Sequence, residues 1–220
     1  MQPRNPERRT NDVRVWDPLV RVGHWLLAAA FFVSYLTEGK PQWLHVWSGY
    51  LVATIVVARV IWGLVGPRHA RFVDFVPSPR AALRYLFDLL RMRAPRHLGH
   101  SPAGGAMIVA LILSLAVTAG TGMALLAIRK NEGPLAPWLG QAAVASAAPT
   151  KATGERAPKP GRVVKQVHEL FSNLTLFLVG FHVLGVLFAS FAHGENLVRA
   201  MITGRKRAPA SDAAAADSRA

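Results

Sequence analysis

Hydrophobic residues gather into four long stretches that polar segments separate. A helix needs about 20 mostly apolar residues to cross the hydrocarbon core of a membrane. Four stretches meet this length, at residues 18–37, 42–65, 102–128 and 164–192. Asp17 is placed to cap the first helix, with Pro18 in its first turn. The pattern therefore predicts an all-α membrane protein whose four-helix transmembrane domain covers residues 15–207.

The polar segments differ in length and character. The turn at residues 38–41 is so short that the first two spans must be antiparallel neighbours. Leucines and aromatics recur at helical spacing among arginines in SPRAALRYLFDLLRMR (78–93), which predicts an amphipathic helix on the inner leaflet, or alternatively a solvated connecting helix. Residues 129–163 are rich in Ala, Pro, Gly and Lys and are expected to be mobile. The N-terminal segment 1–14 is polar, and the alanine-rich tail 208–220 is expected to be disordered.

Charge changes this picture mainly by fixing an orientation. The net charge of +14 over 220 residues would suit a nucleic-acid partner in a soluble chain. Here the basic residues lie in blocks between uncharged spans, so no nucleic-acid partner is expected. About two thirds of the 26 Lys and Arg residues fall before the first span, after the second span, or after the fourth. The positive-inside rule then predicts that both termini are cytoplasmic.

The candidate chemistry lies in histidines within the spans. His168 and His182 share the fourth span, and fourteen residues of helix separate them by roughly 21 Å along the axis and leave them on one face. His45 begins the second span, at the height of His168. His24 lies about two turns into the first span, near the height of His182. We therefore expect two stacked pairs, an outer one of His45 with His168 and an inner one of His24 with His182.

Two such pairs match the needs of two b-type haems in a four-helix bundle, because each iron takes two neutral imidazoles from facing helices. Zinc requires three or four clustered ligands, which pairs about 20 Å apart do not supply. Without any cysteine, disulfides, cysteine-ligated iron–sulfur clusters and covalently attached c-type haem are excluded. Ionisable residues within spans are functional by default. A histidine-dependent proton channel or transporter therefore remains an alternative, as does a structural anchor.

Other polar residues invite secondary roles. Arg59 lies deep in the second span, where it would neutralise a propionate of the inner haem or extend to the lipid headgroups. His100 and His193 are candidates for proton transfer at an inner quinone site. Small residues near the ligands would let a flat macrocycle approach the backbone, or serve ordinary helix packing. These are Gly23, Gly49, Gly120, Gly122, Gly180 and Gly185.

Several motifs resemble one family. They are VWDPLVRVGHW (15–25), LHVWSGYLV (44–52), ARVIWGLVGPR (58–68), LGHSPAGG (98–105), HELFSNLTLFLVGFH (168–182) and HGENLVRAM (193–201). The pattern resembles the bacterial cytochrome b561 family, which includes the b-type cytochrome subunits of nickel–iron hydrogenases. The resemblance implies a membrane cytochrome with two non-covalent haem b groups. His24, His45, His168 and His182 match the haem-ligand positions of that family.

The resemblance also implies a function. The expected protein is a di-haem cytochrome of the bacterial inner membrane, surrounded by lipid. It would carry electrons between a periplasmic redox partner and the quinone pool in respiratory electron transport. That partner would be a hydrogenase, another dehydrogenase or a c-type cytochrome. The alternative is a stand-alone quinone oxidoreductase acting on a small oxidant or reductant. No catalytic side chain is predicted, and whether the chain is itself an enzyme stays open.

Overall fold

A computed structural model describes residues 12–38, 40–67, 70–95, 97, 99–140 and 161–207. The chain is helical apart from one two-stranded sheet. In chain order the elements are β1 (Asp12–Arg14), α1 (Pro18–Thr37), α2 (Gln42–Val65), α3 (Phe72–Phe75), α4 (Pro79–Leu90), α5 (Pro102–Lys130), a π-helical turn (Ala136–Gly140), α6 (Arg162–His193), α7 (Leu197–Thr203) and β2 (Arg205–Arg207).

Four of these helices are long and apolar enough to cross a membrane, and they are α1, α2, α5 and α6. The first two have the predicted bounds, while α5 and α6 extend slightly beyond theirs. The Oδ1 atom of Asp17 accepts a hydrogen bond of 2.7 Å from the amide of Leu19, so the predicted cap of α1 is present. The prediction of an all-α membrane protein with four spans is confirmed.

The described residues divide into two compact units. The central unit contains residues 25–60 and 108–181, and the terminal unit contains residues 12–24, 61–107 and 182–207. The central unit has an apolar core of buried side chains from α1, α2 and α5. These are Ala30, Phe31, Val52, Val56 and Leu115. Thr175 of α6 is fully buried and shares a 2.7 Å hydrogen bond with Ser114, which joins α6 to α5 through hydroxyl groups that water cannot reach.

The terminal unit brings the two ends of the described chain together. Strands β1 and β2 pair antiparallel, with Val13 opposite Lys206. The amide of Val15 donates to the carbonyl of Gly204 at 2.9 Å, and Gly204 ends α7 in a left-handed conformation with φ of 78°. The segments before α1 and after α7 therefore lie side by side, and the side of the membrane that they face stays a prediction. The strands themselves were not predicted, because three residues are too few to establish an alternating pattern.

Helix α4 shows three faces. Ser78 caps it, with its Oγ accepting from the amide of Ala81 at 3.3 Å. Tyr85 and Leu89 are buried within the terminal unit, to which α4 belongs. A second face exposes Leu83, Leu86, Phe87 and Leu90, and a third carries Arg80 and Arg84. The predicted amphipathic helix is therefore present, and its position on the inner leaflet stays a prediction.

The segment after the third span differs from expectation. Helix α5 continues to Lys130, and a π-helical turn follows at Ala136–Gly140. Part of the predicted loop is therefore helical, and its mobility stays a prediction. Residues 141–160 of that loop, the N-terminal residues 1–11 and the tail 208–220 lie outside the described residues.

Candidate functional site

In the central unit, α2 and α6 bring His45 and His168 face to face. The ring centres are 6.3 Å apart and the ring planes meet at 77°. The Nδ1–H of His45 donates to the carbonyl oxygen of Ser34 at 2.8 Å. The Nδ1–H of His168 donates to the carbonyl oxygen of Thr118 at 2.9 Å. Because a carbonyl only accepts, both rings carry their proton on Nδ1, and each Nε2 keeps a lone pair for a metal.

The spacing of these rings fits one metal ion bound between them. An imidazole nitrogen lies about 2.0–2.1 Å from a metal that it binds and roughly 1.1 Å from the centre of its own ring, so two rings on opposite sides of one ion have centres about 6.2–6.4 Å apart. The observed 6.3 Å falls within this range. Aromatic rings in ordinary contact also have centres about 4.5–7 Å apart, so the spacing allows a shared metal ion without requiring one.

A second pair repeats this geometry in the terminal unit. His24 of α1 and His182 of α6 have ring centres 6.2 Å apart, with ring planes at 58°. The two pairs use different helix partners and yet have nearly the same separation. Among the described residues no group of three His, Asp or Glu side chains gathers as a metal site. The described histidines of the spans therefore meet in pairs, which suits a metal whose other ligands come from a macrocycle.

A cavity adjoins His45 and His168. Its lining is largely apolar, as in cofactor sites, with Phe31, Leu115 and Met123 among the residues that form it. Gly49, one turn after His45, lies on this lining, and a Cβ atom there would meet nothing within 4 Å. The cavity offers a flat apolar group access to the backbone of α2 beside one of the two imidazoles.

Gly122 of α5 has a different role in the same cavity. A Cβ atom built on Gly122 would lie 3.1 Å from Cε1 of His168. Ordinary contacts of such an atom are longer, so only glycine leaves the imidazole in its place. Gly120, two residues earlier, meets nothing within 4 Å. The sequence left both glycines with the same two interpretations, and the structure separates them.

The structure brings together the four predicted histidines in the two predicted pairs. Arg59 lies on α2 within the central unit, and its role toward the inner haem stays a prediction. The carbonyl groups of Ser34 and Thr118 were missed, because a backbone acceptor leaves no sign in the residue types. The turn that places Ser34 opposite His45 is visible in the sequence, but the contact is not.

His193 and His100, the two candidates for proton transfer, have different surroundings. His193 shares a 3.3 Å hydrogen bond with the phenol of Tyr85, whose ring also contacts His97 at 5.3 Å between centres. Burial raises the pKa of the Tyr85 phenol, and a hydrogen bond with Ser101 opposes that shift in part. His100 instead packs between the rings of Trp16 and Phe75, at 4.5 and 4.4 Å. A proton-handling role therefore fits His193 better than His100.

Four apolar helices place the chain among multi-pass helical membrane proteins. The sequence profile of the family described as prokaryotic cytochrome b561 matches residues 15–204, which is most of the chain. The chain belongs to the prokaryotic cytochrome b561 family, whose members are b-type haem cytochromes.

Several relatives carry hydrogenase names. The chain is similar to the probable Ni/Fe-hydrogenase B-type cytochrome subunit of Rhodobacter capsulatus, with 26% identity over 57% of this chain and 59% of the relative. It is also similar to the proteins of that name from Azotobacter chroococcum mcd 1 (28% identity, 57% of this chain and 64% of the relative) and Azotobacter vinelandii (29%, 54% and 62%). The chain thus spans about three fifths of the length of these relatives. No solved structure matches it.

Proposed function

We propose that this protein is a di-haem cytochrome b that passes electrons across the membrane between a redox partner and the quinone pool. The observation that carries the proposal is the pair of imidazole sets with ring centres 6.2 and 6.3 Å apart. Both separations equal the value, about 6.2–6.4 Å, for two imidazoles on opposite sides of one metal. Membership of a b-type cytochrome family supports haem b as the metal group that these sets would hold.

Each pair would hold one haem through its two Nε2 atoms, His45 with His168 and His24 with His182. Haem b, when bound, supplies reversible one-electron chemistry at iron. The chain's own residues fix the imidazoles and exclude water. The carbonyls of Ser34 and Thr118 orient the rings of His45 and His168 and increase their basicity as ligands. The apolar lining of the cavity provides a low dielectric, which resists changes of charge at the iron.

The orientation, the membrane and the redox partner are proposed from the distribution of basic residues and from the names of the relatives. Both termini would be cytoplasmic and the membrane would be the bacterial inner membrane, because the basic residues concentrate on the side that carries β1 and β2. A hydrogenase is the proposed periplasmic partner, since the relatives bear that name. The half-buried Arg59 would neutralise a haem propionate through its guanidinium. Quinone would exchange electrons and protons near the inner haem.

The test is the haem content of the purified, full-length protein. We expect a reduced spectrum typical of bis-imidazole haem b and two haems per chain in a pyridine-haemochrome assay. His182→Ala should lose one haem, whereas His97→Gln, a histidine outside the pairs, should keep both. Reduction of both haems by added quinol would support the quinone end. A colourless folded protein would overturn the proposal and favour a proton channel or a structural anchor. Two haems in His182→Ala would overturn the assignment of His182 as a ligand.

A further inference from the structure

Arg21 is a cation at the start of an apolar span, one turn before His24. Residues three apart on a helix are surface neighbours with Cβ atoms about 5–6 Å apart, so Arg21 and His24 share a face of α1. Among the described residues, no carboxylate forms an ion pair with Arg21. A charged side chain placed this close to an apolar region normally has a counter-ion. The sequence alone gives no reason for an arginine here.

The two edges of the Arg21 guanidinium have different surroundings. Nη1 donates to the carbonyl oxygen of Ile202 at 2.5 Å and so satisfies the C-terminal end of α7. Nε is buried and has no hydrogen-bond partner within the part of the chain that the structure describes. A role in holding α7 explains the hydrogen bond of Nη1 but gives no reason for the burial of Nε. The edge that Nε forms with Nη2 has the planar fork geometry that binds a carboxylate through two parallel hydrogen bonds.

The backbone beside this guanidinium is glycine. Gly204 follows α7 with φ of 78°, and a Cβ atom there would lie 3.2 Å from both Cζ and Nε of Arg21. The same atom would lie 3.0 Å from the carbonyl oxygen of Trp16. Glycine at this position therefore permits both the left-handed turn and the close approach of the backbone to the Arg21 guanidinium. Any larger residue would press on the side of the guanidinium that lacks a partner.

We propose that Arg21 binds a propionate carboxylate of the haem held by His24 and His182, through its Nε edge. The inference rests on the proposed function, since it needs a haem at that pair. A carboxylate would supply both the counter-ion and the acceptor that this edge lacks. Arg21 would also favour the ferrous state of that haem, because reduction adds negative charge beside a fixed positive one. Arg21 is then a positioning and potential-setting residue.

The experiment is a redox titration of the full-length holoprotein, followed by its optical bands. In Arg21→Gln we expect one haem to lose at least tenfold in its preference for the ferrous state, which equals a fall of about 59 mV for one electron. The other haem should keep its potential. The redox infrared difference spectrum should show a shifted propionate carboxylate band. Arg21→Lys, which keeps the charge without the fork, should give an intermediate shift.

Two controls separate this contact from a structural role. Arg199→Gln removes an exposed arginine of α7 and should leave both potentials unchanged. Asn196→Ala removes the cap of α7, where Oδ1 accepts from the amide of Arg199 at 2.8 Å, and so loosens α7 without touching Arg21. It should also leave the potentials unchanged. Loss of one haem from Arg21→Gln, with both retained in Asn196→Ala, supports the same contact.

The failures of the two proposals are distinguishable. Wild-type protein without haem would overturn the proposed function. Two haems at wild-type potentials in Arg21→Gln would overturn the role of Arg21 and leave the proposed function standing. An equal shift in Asn196→Ala and Arg21→Gln would also overturn it, because Arg21 would then act through α7. If Arg21→Gln does not accumulate, Arg21→Lys takes its place. Wild-type potentials and carboxylate bands in Arg21→Lys would then overturn the role of Arg21.

Discussion

Gly122→Ala should damage one haem site and spare the other. The added methyl group would lie 3.1 Å from Cε1 of His168, so the imidazole or helix α5 has to move by a few tenths of an ångström. The imidazole cannot move freely, because its Nδ1–H is fixed by the 2.9 Å hydrogen bond to Thr118. The substitution therefore strains the contact between α5 and α6 or breaks the bond that orients the ligand.

Two opposing free-energy contributions determine how much haem affinity Gly122→Ala loses. Overpacking typically costs about 1–3 kcal/mol. Replacing a helical glycine by alanine returns up to about 1 kcal/mol through helix propensity. With a return of about 1 kcal/mol the net loss is about 0–2 kcal/mol, which corresponds to a fall of up to roughly 30-fold in haem affinity at His45 and His168. A displaced orienting group alone typically costs 10- to 100-fold in metal affinity, so the larger end of this range is expected.

Gly120→Ala is the matched control, since it makes the same chemical change on the same helix and its Cβ meets nothing within 4 Å. The assay is transfer of haem from the purified protein to excess apomyoglobin. One of the two haems should leave faster from Gly122→Ala, and both should leave Gly120→Ala at the wild-type rate. Identical transfer rates in the two variants would refute the steric argument.

Three further predictions address the ligands, the core and the terminal unit. His45→Ala and His168→Ala should each lose one haem, and the double variant should lose only that same haem, by pyridine-haemochrome assay. Thr175→Val should lower the free energy of unfolding by about 1–3 kcal/mol, because the buried hydroxyl of Ser114 loses its hydrogen bond to Thr175. Thr175→Ser keeps a hydroxyl and should lower the free energy of unfolding by less. Burial raises the pKa of Tyr85, so the folded chain holds the phenol proton more tightly than the unfolded chain. The contribution of Tyr85 to stability is therefore present below a pH of about 10 and is lost as the pH rises further. Thermal melts should show that Tyr85→Phe lacks this part of the alkaline transition.

The spans and the histidine pairs could be predicted because each depends on a long-range regularity of the sequence. An uncharged stretch of this length has few alternatives to a membrane helix. Fourteen residues place His168 and His182 on one face whatever their surroundings. The four-residue turn then leaves α1 and α2 as neighbours, which limits how His24 and His45 can be placed.

What could not be predicted depends on contacts between backbone atoms or between distant segments. The acceptors of the two Nδ1–H groups are main-chain carbonyls, which any residue type provides. Strand pairing between residues 12–14 and 205–207 joins segments almost two hundred residues apart through three residues each. The different surroundings of Gly120 and Gly122 follow from the side of α5 that faces His168, which the sequence leaves open.

The central claim is that two separate histidine pairs hold two haems. The most direct measurement is the haem content of His168→Ala, His182→Ala and the variant that combines them, with each protein purified in full length. The account predicts two haems per chain in the wild type, one in each single variant, and none in the combined variant. Haem retained by the combined variant, or a wild type that binds a single haem, would contradict it.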